Sequence, residues 1–234
     1  MDRIPLPEPH SKTGAAIREI IFGIEDGLIS MLGIVLGVAG GTGSAGLVII
    51  AGIAAIFAEA ISMAAGAYLS TKAQLEFYHR EMEREKREMR DIPEVERKEV
   101  RDIYQKKGFK GAELERVVDV ITANKGRWLR VMMREELGLV PENLHPLRDG
   151  AVIGLAAVFG GICPLAPFFL LPIGAASITA VVVTIVALFG AGVAKTRVTA
   201  GSWVRSGLEM AIVGGLAAAA GFAIGWLLGV GPVH

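Results

Sequence analysis

The sequence predicts an all-α membrane protein with five transmembrane helices. Hydrophobic residues make up 52% of the chain, its mean hydropathy is +0.49, and several apolar segments reach the roughly 20 residues that a helix needs to cross a bilayer. All 24 Lys and Arg residues lie in segments 1–18, 72–148 and 195–205. Because basic loops mark the cytoplasmic side of a membrane, we expect a cytoplasmic N-terminus and an external C-terminus.

Each apolar segment is bounded by a recognisable break. A glycine-rich turn at 40–44 ends the first, whereas the second continues beyond Ser70 to Arg90 without any Gly or Pro, which predicts one long helix that leaves the membrane. Pro164, Pro167 and Pro172 separate the third and fourth segments, because proline ends or kinks a helix. The predicted spans are 17–39, 47–70, 150–171, 174–193 and 206–230.

The charged part of the chain predicts a second domain, inserted between the second and third spans. Residues 72–149 hold 18 of the 24 basic and 17 of the 24 acidic residues. Pro93 divides its first two helices, and Asp91 followed by Glu94 predicts an N-cap there. Gly108 and Gly111 predict a turn before helices at 112–124 and 128–137, and Gly138 predicts a stop. We therefore divide the chain into an N-terminal cytoplasmic segment (1–16), two membrane helices (17–71), a cytoplasmic helical metal-binding domain (72–148) and three membrane helices (149–234).

Composition also excludes several classes of function. The net charge is zero, which argues against nucleic acid as a partner. The single Cys163 excludes an internal disulfide and a CxxC metal motif, and we interpret it as a packing residue. One Glu-x-x-His, formed by Glu76 and His79, is half of what a ferritin-type di-iron enzyme needs. We therefore expect neither an enzyme nor a resident cofactor. The N-terminus lacks a signal-peptide pattern, so the first span is expected to be retained.

Asp26, Glu59 and Glu209 are the candidate functional carboxylates within the apolar segments, while Glu19 and Glu25 lie nearer the cytoplasmic end of the first span and are expected at the interface. Acidic groups in lipid are costly and mark ion pathways by default. Asp26 lies roughly 13 Å inside the start of the first span, and Glu59 lies roughly 18 Å from the outer end of the second, so the two can meet near the midplane. Glu209 is expected at the interface. Met63 shares a helix face with Glu59, and oxygen with a soft sulfur suits a divalent transition metal. The alternative is that neighbouring hydroxyls or backbone groups satisfy Asp26 and Glu59, and that the two carboxylates only hold helices together.

The inserted domain carries a second set of candidate ligands. Glu85 and Glu88 share one helix face, and Glu96 and Glu99 share a face of the next. If the helices fold back around Pro93, these carboxylates converge, and the last helix adds two sulfurs and an oxygen from Met132, Met133 and Glu136. The alternative is a solvated face on which Arg and Lys neutralise the glutamates.

Several of these residues occur in recognisable motifs: the Asp-Gly-Leu-Ile-Ser at 26–30, the Ser-Met-Ala-Ala-Gly at 62–66 with Tyr-Leu-Ser at 68–70, and the glutamate-rich insert that ends in Met132-Met133-x-x-Glu136. With these motifs and its five spans, the chain resembles the vacuolar iron transporter family over nearly its whole length.

The resemblance implies proton-coupled export of Fe²⁺ from the cytosol by a homodimer, with Mn²⁺, Co²⁺ and Zn²⁺ as further candidate ions. It implies that Asp26 and Met63 line the path, and that the insert glutamates and the Met pair collect metal. Many relatives carry a glutamate where this chain has Ala67, and Glu59 is the candidate substitute. The expected location is a prokaryotic plasma membrane, or a vacuolar membrane in a eukaryote. A membrane-anchored metal sensor or buffer without transport is the alternative.

Overall fold

The computed structural model describes residues 13–139, 144–199 and 201–229, with side chains from residue 17 onward except at 197–199. Every regular element in these ranges is helical. The elements are α1 (Thr13–Thr42), α2 (Ala45–Asp91), α3 (Pro93–Lys106), α4 (Gly111–Thr122), α5 (Lys125–Val131), a π-helical segment (Met132–Glu136), α6 (Pro146–Leu165), a short 3-10 helix (Ala166–Phe169), α7 (Ile173–Thr199) and α8 (Trp203–Leu228).

Five of these helices are long and apolar enough to cross a membrane, which confirms the predicted number of spans. They are α1, α2, α6, α7 and α8. Large apolar side chains lie exposed along them, including Ile50 at 68%, Phe57 at 63% and Leu216 at 66%. Apolar side chains on an outer helix surface are what lipid solvates, so the chain is an integral membrane protein.

The chain forms two compact units. The apolar unit comprises Met1–Leu69 and Pro146–His234, and the charged unit comprises Ser70–His145. Helix α2 runs without interruption from Ala45 to Asp91, as its lack of internal breakers predicts, and contributes to both units.

Helix α1 is the central helix of the apolar unit, and glycines allow its close contacts. A Cβ at Gly221 or Gly225 of α8 would overlap the backbone of Gly33 or Gly37 of α1. On another side of α1, a Cβ at Gly23 would come within 2.7 Å of the Ile153 carbonyl oxygen of α6. Small residues that let backbones approach are the usual basis of helix contact in lipid, so these glycines are packing residues.

The prolines shape the connection between α6 and α7. Pro164 lies inside the last turn of α6, Pro167 lies in the 3-10 helix, and α7 begins at Ile173, directly after Pro172. At its other end α7 extends to Thr199. Lys195 is therefore part of a helix and not of a loop, in contrast to the interpretation of segment 195–205 as a short loop.

The charged unit has an apolar core of its own, contributed by α3, α4, α5 and the π segment. Its buried members are Val100, Leu114, Val118, Ile121, Trp128 and Met132. The glycines at 108, 111 and 138 have positive φ angles of 104°, 56° and 63°, as expected for the turn and the helix stop.

Two local predictions in this unit are wrong. Asp91 is not the N-cap of α3: it remains the last residue of α2, and Ile92 caps α3 because Pro93 occupies the first helical position. The final helix begins at Lys125, where the Asn124 side chain accepts a hydrogen bond from the Arg127 amide at 2.9 Å. It changes to π geometry at Met132 and does not continue as an α-helix to Leu137.

Candidate metal and carboxylate sites

Three glutamates converge inside the charged unit. One carboxylate oxygen from each of Glu85, Glu96 and Glu136 lies within 4.8 Å of the other two. Glu85 belongs to α2, Glu96 to α3 and Glu136 to the π segment. The break at Ile92 and Pro93 brings the start of α3 back beside the end of α2, so residues eleven positions apart meet. In the part of the chain that the structure describes, this is the only cluster of three or more His, Cys, Asp or Glu side chains with such spacing.

Glu85 and Glu96 are the two buried acids of this cluster, and each is only 3% exposed. Their carboxylates lie so close together that the charge of Glu96 disfavours ionisation of Glu85. Among the described residues, Glu85 Oε1 and Glu96 Oε2 have no hydrogen-bond partner. Buried carboxylate oxygens without a partner carry a large desolvation cost. A divalent cation would satisfy them, since carboxylate oxygen is a good ligand for such ions.

The acidity of these groups reflects their crowding. Burial, then the hydrogen bond and charge of Glu96, raise the pKa of Glu85 to about 9. Partial burial and the charges of Glu99, Glu96 and Glu88 raise the pKa of Glu136 to about 7. Like charges held together in a poorly solvated site favour the protonated form, and a bound cation reverses that preference.

Glu88 and Glu99 lie at the edge of the cluster. Partial burial and the charges of Glu96 and Glu88 raise the pKa of Glu99. Glu88 accepts a hydrogen bond at 3.0 Å from the Arg84 guanidinium, so its charge is partly neutralised. The predicted glutamates therefore form one electrostatic group, while the predicted alternative of arginine pairing applies to Glu88.

The two methionines of this motif occupy different surroundings. Met132 is fully buried in the apolar core of the unit. Met133 is 3% exposed and lines a cavity on the unit. The π turn that holds them is closed by a hydrogen bond of 3.2 Å from the Leu137 amide to the Met132 carbonyl. A π turn adds a residue to the helix and changes the direction of the side chains that follow.

A second carboxylate group lies in the apolar unit, between α1 and α2. The Ser30 Oγ lies 2.7 Å from both carboxylate oxygens of Glu59. Asp26, one helical turn before Ser30, is close enough to Glu59 for the two carboxylates to interact electrostatically. Met63 is half-buried and lies one turn after Glu59 on α2. The structure thus brings Asp26, Ser30 and Glu59 together, although the residues come from two different helices.

The apolar unit also contains a charge interaction that the sequence does not predict. The carboxylate of Glu25 on α1 interacts electrostatically with the ammonium group of Lys195 on α7. The sequence predicts Glu25 near the membrane interface and Lys195 in a loop. The available signal was a lone Lys directly after an apolar segment and a lone Glu beside Asp26, but only the packing of α1 against α7 shows that they meet.

The remaining candidates have separate partners. Glu209 is exposed and accepts a hydrogen bond from Arg205 at 3.0 Å. Glu76 lies 3.7 Å from Lys72, and His79 stacks edge-on against Tyr78. Cys163 is partly buried against the apolar cluster of Leu28, Leu188 and Met210.

Comparison with known proteins agrees with this architecture. The family model described as "VIT family" matches residues 17–226. The chain is 39% identical to "Vacuolar iron transporter 1" of Arabidopsis thaliana over 219 residues, which is 93% of this chain and 88% of the relative. It is 39% identical to "Vacuolar iron transporter 2" of Oryza sativa subsp. japonica over 217 residues, or 92% and 88% of the two chains. It is 34% identical to "Vacuolar iron transporter" of Toxoplasma gondii over 233 residues, or 94% and 77%. On the extent of these matches, the chain belongs to the VIT family.

Proposed function

We propose that this protein exports divalent transition-metal ions across a membrane in exchange for protons. Fe²⁺ is the first candidate substrate, since the relatives are named iron transporters. Mn²⁺, Co²⁺ and Zn²⁺ are further candidates, because carboxylate and thioether ligands accept all of them. The observation that carries the proposal is the contact between Asp26 and Glu59 within apolar helices, where acidic groups are otherwise disfavoured.

The first step in the proposal is collection of the ion. The carboxylate oxygens of Glu85 and Glu96 that lack hydrogen-bond partners, together with a carboxylate oxygen of Glu136, supply oxygen ligands for the ion. Glu88 and Glu99 add negative charge, and Met133 and Met132 are the candidate sulfur ligands. The basic residues of the charged unit support its cytoplasmic location.

The second step is exchange in the membrane. Asp26 and Glu59 together carry two negative charges when ionised, which either one divalent cation or two protons neutralise. Proton and metal therefore compete for the same oxygens, and this competition couples their movements. Met63 offers a soft ligand one turn from Glu59. We further propose that the protein acts as a homodimer with a cytoplasmic N-terminus and an external C-terminus, in a prokaryotic plasma membrane or a vacuolar membrane.

Proteoliposomes test this function. With an imposed proton gradient, the wild-type protein is expected to move Fe²⁺ and to release protons in the opposite direction, and Asp26→Asn is expected to abolish both movements. Glu209→Gln is the matched control, since it removes a carboxylate that is exposed and already paired with Arg205. Transport by Asp26→Asn at the wild-type rate would refute the proposed path.

The same assay separates transport from the sensor or buffer alternative. A sensor would bind metal through Glu85, Glu96 and Glu136 in the full chain and show no flux of any divalent ion under any gradient. Metal binding measured on the detergent-solubilised protein, together with flux measured in liposomes, distinguishes the two functions.

A further inference from the structure

The charged unit contains a cavity of about 390 Å³ whose lining includes none of the clustered glutamates Glu85, Glu96 and Glu136. Its walls come from the charged half of α2, from α5 and from the π segment. Its lining includes Tyr78, Arg127, Arg130, Met133, Arg134 and Glu135.

Three of these residues are arginines. Arg127 and Arg130 are three positions apart on α5 and share a helix face, and Arg134 of the π segment lines the same cavity. The Asn124 cap fixes the start of this helix.

The charges of these arginines are not neutralised within the described part of the chain. None has a carboxylate oxygen within 4.0 Å among the described residues, whereas Arg84 and Arg101 of the same unit each bind a glutamate. The lining acid, Glu135, is bound to Lys107 at 2.5 Å. Among the described residues, the cavity lining therefore carries three unpaired positive charges, which disfavour a metal cation as its occupant.

We propose that this cavity binds a phosphate-bearing anion. Guanidinium groups bind phosphate through two parallel hydrogen bonds, which makes arginine the preferred residue for planar recognition of that group. Tyr78 supplies a phenol, and Met133, Val131 and Leu139 supply apolar wall for the body of the molecule. The volume lies in the range of sites that hold small molecules. The occupant is a phosphate monoester, either free in solution or as the headgroup of an anionic lipid.

Two probes with the same headgroup separate these sources. The full chain, purified in detergent free of phospholipid, is titrated with glycerol 3-phosphate and, separately, with short-chain phosphatidic acid in micelles; phosphatidylcholine is the lipid control. Binding of both probes identifies a soluble ester as a sufficient ligand, and binding of phosphatidic acid alone identifies a lipid headgroup. Either result supports the proposal, whereas binding of neither probe overturns it.

The combined variant Arg127→Gln/Arg130→Gln/Arg134→Gln is expected to weaken binding about tenfold or more, since each hydrogen bond to a charged group contributes substantially. The matched control Arg80→Gln/Arg87→Gln/Arg90→Gln removes the same charge from exposed positions outside the cavity and is expected to keep the wild-type affinity. Equal weakening by both variants would show a diffuse charge effect and overturn the proposal. If the cavity variant loses its fold, Arg130→Lys decides: it keeps the charge but not the two parallel bonds, and unchanged affinity would contradict the proposed recognition.

Discussion

The hydroxyl of Ser30 on α1 lies 2.7 Å from both carboxylate oxygens of Glu59 on α2. The single hydroxyl hydrogen is shared between two oxygens that together offer about four acceptor sites, so Ser30 orients Glu59 without saturating it. The neighbouring Asp26 adds a second acid. A contact that served only to hold the two helices together would need the Ser30 hydroxyl and the Glu59 carboxylate. The additional carboxylate of Asp26 is the feature that suits binding of a divalent cation.

The first prediction concerns this contact. Glu59→Gln is expected to abolish Fe²⁺ flux, because the amide cannot hold the cation by charge. Ser30→Ala is expected to lower flux about tenfold, since it removes an orienting hydrogen bond to a charged group but leaves both acids. Initial rates in proteoliposomes measure both effects. Equal loss in the two variants would indicate that Ser30 contributes more than orientation.

The second prediction concerns metal binding by the charged unit. Glu85→Gln and Glu96→Gln each remove a ligand with an orphaned oxygen, so Fe²⁺ affinity of the full chain is expected to fall about tenfold or more. Glu115→Gln is the control, because Glu115 lies outside the cluster and is bound to Arg101. Calorimetric titration under anaerobic conditions measures the Fe²⁺ affinity. Equal Fe²⁺ affinities of all three variants would show that Glu85 and Glu96 are not metal ligands.

The third prediction follows from the raised pKa of Glu85. Between the ordinary glutamate value of 4.5 and about 9, the folded metal-free protein holds a proton that the unfolded chain has released. Stability therefore falls as pH rises through this window. Metal affinity changes in the opposite direction and rises with pH, because the ion must displace the proton. Thermal melting of the metal-free protein across the window is expected to show the decline.

Glu85→Gln serves as the control for this pH dependence. The amide does not titrate, so its melting profile is expected to be flatter than that of the wild type over the same range. A wild-type profile that rises with pH while the variant profile is flat would contradict the sign.

A fourth prediction concerns the packing of α1 against α8. Gly225→Leu places a side chain where even a Cβ overlaps the Gly37 carbonyl, and is expected to destabilise the protein by about 2 kcal/mol or more. Gly215→Leu in the same helix is the control, since a Cβ there meets nothing within 4 Å. Melting in detergent compares them, and equal stability would argue against the close contact.

The charge interaction between Glu25 and Lys195 gives the fifth prediction. Lys195→Met leaves an uncompensated carboxylate beside Asp26 and is expected to lower transport, whereas the exchange Glu25→Lys/Lys195→Glu is expected to recover part of it. Flux in liposomes measures the recovery. If the exchanged variant transports no better than either single change, the pair has a role other than charge compensation.

Sequence alone determined the spans, the long α2 helix and the identity of most candidate ligands. These properties depend on composition and on local spacing: apolar length fixes which helices suit lipid, and absence of Gly and Pro keeps α2 continuous. The motif around Met132 and Glu136 was recognisable for the same reason, because neighbouring residues occur together in the chain.

Tertiary structure decided which of these residues meet. Spacing could not show that Glu85 and Glu96 are buried with orphaned oxygens while Glu88 binds Arg84, nor that Glu25 interacts with Lys195. The π turn at Met132 also escaped prediction, because π geometry does not follow from local preference alone. The cap at Ile92 has a local cause, since Pro93 occupies the first helical position, but the polar Asp91 and Glu94 favoured the wrong residue. Contacts between helices are set by packing across residues far apart in the chain, and a single sequence records that packing only indirectly.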